Sequence, residues 1–165
     1  MKYLLFVFFF FNTISVAYAN DVVYIDMNHI LSNSIQGKSI LSQLDIKNKS
    51  NVKELELKEN ILKGLEKNIS NQQNILSKEE LKKQINNLKS KVLVFNKDKD
   101  KLVREFNELK NKEISDFMNN VEPLILNYMK KNSINIVLDK KNVIIGKKDN
   151  DITLEILEIV NLNIK

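Results

Sequence analysis

The chain has no cysteine and no tryptophan, and its 165 residues include one proline, one histidine and three glycines. Each scarcity excludes something. Without cysteine there is no disulfide framework, no thiolate nucleophile and no cysteine-type zinc site. Any catalytic triad would have to use His29, which falls on a short predicted helix where a lone histidine is ordinary. Gly37, Gly64 and Gly146 are isolated, so no glycine-rich phosphate loop exists. Acidic neighbours such as Asp98 with Asp100, or Glu79 with Glu80, fit the charged surface of a coiled coil. Nothing converges into a catalytic site, and the sequence predicts no enzyme, no metal and no cofactor. Arginine is also scarce: Arg104 is the only one, while Lys, Asn and Ile are abundant. That bias fits an AT-rich coding background, so single lysines carry little information.

What is present begins with an export signal. Lys2 gives a short positive region, residues 3–11 a dense apolar one, and Ala17-Tyr18-Ala19 a small-residue cleavage site. The apolar stretch is short for a ~20-residue membrane span. Residues 1–19 are therefore expected to be removed near Ala19/Asn20. Without Lys2, 25 Lys and Arg face 21 Asp and Glu, a net charge of +4 against +5 for the whole chain.

The most telling pattern lies in residues 41–109. Apolar residues at heptad spacing mark a first arm (Leu41, Leu44, Leu55, Leu62, Leu65, Ile69) and a second (Leu81, Ile85, Leu88, Val92, Phe95, Leu102, Phe106, Leu109). Pairing residues whose numbers sum to 150 matches Leu41 with Leu109, Leu55 with Phe95, and Leu62 with Leu88. This is an antiparallel helical hairpin with a polar tip at 70–77. Ser77 and Glu80 form a capping box that starts the second helix near Lys78. Asn51 would face Lys99 in this register, and Gly64 adds a soft point. The second helix should continue past Ile114 to Met129, bent or broken at Pro123.

Around the hairpin lie three strand candidates, at 22–25, 135–139 and 142–145, the last two joined by a turn at 139–141. Asp26 or Asn28 should cap a short helix ended by Gly37, and Asp151 should cap a final one. The sequence thus predicts a mostly helical α+β fold: a long coiled-coil hairpin at 39–113, and a small β-rich body from 20–38 and 114–165. Val23, Ile25, Ile136, Leu138 and Ile144 are its candidate core and self-association residues. So slight a core favours assembly through the strand-rich end. Residues 47–113 hold 17 Lys and Arg against 11 Asp and Glu, a balance of +6, so the projecting part carries the basic excess. Lys82, Lys83, Lys89 and Lys91 are candidate basic residues for acidic polypeptides or anionic lipid.

These residues carry a family resemblance. Val23-Tyr24-Ile25-Asp26-Met27, Ser34-Ile35-Gln36-Gly37-Lys38, the hairpin, Val121-Glu122-Pro123-Leu124-Ile125, Ile134-Asn135-Ile136-Val137-Leu138-Asp139 and Asp151-Ile152-Thr153 follow one another behind the signal. In that order the chain resembles the Skp/OmpH family of periplasmic chaperones. The resemblance implies a homotrimer whose hairpins are tentacles around a cavity, holding unfolded outer-membrane β-barrel proteins without ATP. It also implies contact with lipopolysaccharide, for which no local motif places a site. The competing reading is an envelope coiled coil acting as a structural adaptor. A nucleic-acid partner is argued against by the export signal.

Overall fold

The computed structural model describes residues 22–164, so the expected signal at 1–19 lies outside the described residues. Along the chain come strand β1 (Val22–Ile25), helices α1 (Met27–Asn33), α2 (Ile35–Gln72) and α3 (Lys78–Asn132), strand β2 (Ile136–Asp139) and helix α4 (Thr153–Asn163). The long α2–α3 hairpin and the small body make the mostly helical α+β architecture that the sequence predicts.

β1 and β2 pair in parallel, from Val22 opposite Ile136 to Ile25 opposite Asp139. A parallel pair needs a crossover, and here the crossover is the whole hairpin. The sheet has two strands among the described residues, not three. Asp139 accepts a hydrogen bond from the Lys141 amide and starts a 3-10 turn, Lys140–Asn142. Val143 is extended, but Asn142 belongs to that turn and Ile144 and Ile145 lie in a bend, so the 142–145 segment finds no strand partner among the described residues; an isolated bridge joins Tyr24 to Asp151 instead. Ile144, a candidate for the core or for self-association, lies outside this protomer's core at 98% exposure, and Ile145 is 91% exposed.

The core sits where both chain ends meet the base of the hairpin. Val23, Ile25 and Ile30 pack with Ile40, Leu44, Phe117 and Val121, and with Ile152, Ile156 and Val160 of the C-terminal part. Polar ties reinforce this. The Asp26 amide donates to Thr153 Oγ1 (2.9 Å), the Ile152 amide to the Tyr24 carbonyl (3.1 Å), and the Ile35 amide to Asn161 Oδ1 (2.8 Å). Asp151, expected to cap α4, stands one residue earlier: Ile152 is the N-cap, without a side-chain cap bond, and Asp151 accepts from the amide of the first helical residue, Thr153, at 3.1 Å.

Asp26 is the cap of α1, accepting from the His29 amide at 2.9 Å. Gly37 does not end that helix. Ser34 does, and its buried hydroxyl accepts from the Gly37 amide to open α2. Gly37 lies inside α2 at a close approach: a Cβ there would stand 1.9 Å from the Leu31 carbonyl oxygen. The first arm therefore starts at Ile35 rather than near Ser39. Pro123 neither ends nor interrupts α3, which runs through it. The capping box forms as read, with Ser77 Oγ accepting from the Glu80 amide at 3.3 Å and the Ser77 amide donating to Glu80 Oε2 at 3.1 Å. The Ser77 hydroxyl also donates to Glu80 Oε2 at 2.7 Å, and this bond, followed by the one from the Ser77 amide, holds the Glu80 carboxyl below the usual range.

The arms meet in a different register. Lys58 pairs with Asp98 at 2.7 Å, Leu62 shares a cleft with Phe95, and Ile69 shares one with Leu88. Partner numbers sum to 156 or 157, about one heptad from the mirror at 150. The shift separates Asn51 from Lys99 and brings it level with Phe106. Asn51 is buried in the seam at 7% exposure. Sliding one arm by seven residues keeps apolar opposite apolar, so the heptad pattern alone does not choose. The ion pair and the depth of Asn51 identify the register adopted.

Candidate functional site

Every buried residue of the hairpin lies at its base. Beyond Asn51 on α2 and before Phe117 on α3, no described residue is buried. A two-helix seam can cover only one stripe of each helix, and at ~1.5 Å per residue α2 reaches about 57 Å. Its outer half therefore has little to hold it. Hydrogen exchange should divide the molecule accordingly: amides at 60–95 should exchange through local opening, and those of Phe117, Val121 and Ile156 only on global unfolding. Uniform protection along α2 would contradict this division.

Of the seam residues expected from sequence, Leu44 is buried. Leu55, Leu62, Leu65, Ile69, Leu81, Leu88, Phe95, Phe106 and Leu109 are half-buried, and Leu41 and Ile85 are exposed. Ile40 takes the place expected for Leu41, since a step of four before Leu44 follows the helical repeat as well as a step of three. Phe117 and Val121, at the root of the second arm, are the anchors that the seam pattern left out. In the body, Val23 and Ile25 are buried, while Ile136 and Leu138 alternate outward from β2 and are exposed.

The hairpin displays what it cannot bury. Ile46, Leu57 and Ile61 on α2, and Leu93 and Val94 on α3, are exposed. Between residues 67 and 97 there are seven lysines and two glutamates, and none of those lysines joins an ion pair among the described residues. Nearer the body several charges are paired. Lys58 bonds Asp98 across the arms and Glu54 along its own helix (2.9 Å), and these raise its pKa, Asp98 most. Lys49–Asp45, Lys63–Glu59 and Lys112–Asp116 are pairs one turn apart.

The four candidate lysines are all exposed but do not act as one patch. At roughly 100° per residue, Lys82 and Lys89 share one face of α3 and Lys91 is turned almost to the opposite side. Only Lys91 borders a cleft between the arms, with Ile61, Leu62, Val94 and Phe95.

The body has a polar cleft around Asp26, His29, Lys140, Asp151 and Glu155, of which Asp26, Lys140 and Asp151 are already engaged. Asp26 caps α1, and Asp151 bonds Lys140 at 2.9 Å. Burial disfavours the ionised Asp151, yet bonds from Thr153 and Lys140 outweigh it and hold its carboxyl below the usual range. Among the described residues no His, Asp or Glu cluster could hold a metal, and no helix is long and apolar enough to cross a membrane.

Comparison with known proteins gives a consistent result. A crystal structure of a protein from Caulobacter crescentus CB15, assigned as an OmpH-like outer membrane chaperone, superposes with a TM-score of 0.77 at 17% sequence identity. The match covers 88% of this chain and 86% of that one, and establishes a shared fold. No curated protein matches significantly. The family model described as outer membrane protein (OmpH-like) matches residues 21–160. With that match spanning most of its length, the chain belongs to the OmpH-like outer membrane protein family.

Proposed function

We propose that this protein is an ATP-independent holdase chaperone of the periplasm, exported behind a cleaved signal. It binds unfolded outer-membrane β-barrel proteins and keeps them from aggregating before assembly. The observation that carries this reading is the outer hairpin, which buries nothing fully and presents exposed apolar side chains beside unpaired lysines. An unfolded barrel strand alternates apolar and polar residues and offers no continuous apolar face. Many weak contacts along a mixed apolar and cationic surface suit it, and their sum supplies affinity without a rigid pocket. The OmpH-like fold shared with the Caulobacter protein supports a chaperone role.

The working unit is a homotrimer in this reading, with three hairpins around a cavity. Its support is the body surface: Ile136 and Leu138 are exposed on one sheet face, and Ile144 and Ile145 stand out almost fully exposed on a bend after the 3-10 turn. Such apolar groups call for a covering surface, and a second copy supplies apolar groups and open sheet edges of the same kind. The basic outer hairpin would also draw the protein to anionic lipid or lipopolysaccharide, in a salt-dependent way.

The test is direct. A urea-denatured barrel protein is diluted into buffer with or without the purified mature chain, and light scattering is followed. Suppression near one trimer per client is expected. Unchanged scattering would remove the holdase reading and leave an envelope adaptor.

A further inference from the structure

The two arms do not close evenly on both sides. On one side two clefts follow each other along the seam, each of about 310 Å³. The first has walls of Ile61, Leu62, Val94 and Phe95, and the Lys58–Asp98 pair closes its body end. Ile61 and Val94 are 62% and 57% exposed, so this cleft is open to a visitor. The second, toward the tip, is more polar: the amides of Asn68, Gln72, Gln84 and Asn87 border it beside Leu65, Ile69 and Leu88. Lys91 borders both and joins no ion pair among the described residues.

Size, spacing and chemistry point to one occupant. A volume near the ~300 Å³ lower limit of small-molecule sites suits a single large side chain. The clefts are offset by about seven helical residues, from Leu62 to Ile69 and from Phe95 to Leu88, or roughly 10 Å. Unfolded chains populate the polyproline II conformation, in which residues i and i+3 point to one side about 9 Å apart. In a barrel strand the apolar and polar residues alternate, so i and i+3 differ in character. An apolar cleft followed at that distance by an amide-lined one complements this alternation. A uniformly apolar segment would instead press an apolar side chain against amides and strip them of water.

We propose that this side of the hairpin is a segment-recognition groove for unfolded β-barrel strands in extended conformation. An aromatic side chain enters the first cleft and a polar one, three residues on, meets the amides of the second. Barrel strands carry aromatic residues in their interfacial girdles. The Lys91 ammonium, unpaired beside the first cleft, supplies the positive charge that the face of such a ring attracts. The proposal rests on the holdase reading and adds to it a preference for sequence pattern.

Two fluorescent peptides of equal composition test it, one alternating Phe with Ser and Thr, the other with its Phe residues in one block. Anisotropy should give the alternating peptide an affinity at least about tenfold higher, and Val94→Gln should remove most of that difference. Lys91→Gln should weaken the alternating peptide by about threefold. Val103→Gln, which alters an exposed valine away from both clefts, should leave it unchanged. Circular dichroism verifies that each variant keeps its helices. Equal affinity for the two peptides, or indifference to Val94→Gln, overturns the groove. If the wild type still suppresses barrel-protein aggregation, the holdase reading survives that failure. A protein that distinguishes the peptides but suppresses no aggregation keeps the groove and loses the holdase.

Discussion

Gly37→Ala is expected to lower the thermal midpoint by roughly 4–8 °C, although helix propensity alone argues the opposite. Both Gly37 and Gly64 lie inside α2, where replacing glycine by alanine ordinarily gains ~1 kcal/mol. At Gly37 the new Cβ would stand 1.9 Å from the Leu31 carbonyl oxygen and 2.7 Å from Ser34 Oγ. The first neighbour is backbone and cannot rotate away, so α1 must move off α2. Overpacking of this kind costs about 1–3 kcal/mol or more and outweighs the helical gain. The movement would also disturb the Ser34 hydroxyl that opens α2. At Gly64 a Cβ meets nothing within 4 Å, so the full gain is kept and Gly64→Ala should raise the midpoint by a few degrees. Differential scanning calorimetry on the pair decides it: two substitutions of one type in one helix, with opposite signs. A Gly37→Ala protein as stable as the wild type would refute the close crossing.

Ile144→Asp combined with Ile145→Asp should convert the assembled protein to monomers at micromolar concentration and leave each protomer folded. Both side chains are almost fully exposed, so the substitutions remove nothing from the protomer's own core. In the homotrimer proposed above they would be covered by a neighbour. Losing two isoleucines from such a contact is worth about 3–6 kcal/mol, or roughly 10²–10⁴ in association. Buried aspartates without partners would add to the loss. Sedimentation velocity reads the oligomer and far-UV circular dichroism the fold. Suppression of client aggregation should fall in parallel, since single hairpins enclose nothing. A double variant that sediments like the wild type would place the self-association surface elsewhere.

The sequence expressed the hairpin clearly because its signals were local. Ser77 and Glu80 mark the start of α3 through their own hydrogen bonds, and Asp26 marks that of α1 in the same way. Errors arose where several partners satisfy one pattern. Leu62 finds an apolar residue opposite it at either Leu88 or Phe95, so the heptad repeat permits both registers. The choice depends on Lys58 meeting Asp98, a contact between residues forty positions apart. Gly37 looked like a helix end because glycine serves both as a cap and at close crossings, and only the position of Leu31 separates the two. The 142–145 segment has strand composition but no strand partner among the described residues, because the chain turns through a 3-10 turn at Lys140–Asn142 and bends at Ile144 and Ile145. The candidate groove was less legible still. Leu62 and Phe95 were visible as seam members, but Ile61 and Val94 were not, and the groove depends on how far the arms part between those two.

The parallel pairing of β1 with β2 also sets the order in which the molecule can be made. Val22–Ile25 precedes its partners Ile136–Asp139, and Ile152 that bonds Tyr24, by more than a hundred residues. The hairpin can wind as soon as its second arm is complete, because its contacts close progressively from the tip. The body must wait for residues 136–160. A chain delivered N-terminus first thus has arms before it has a base, and β1 stays unpaired until those residues arrive.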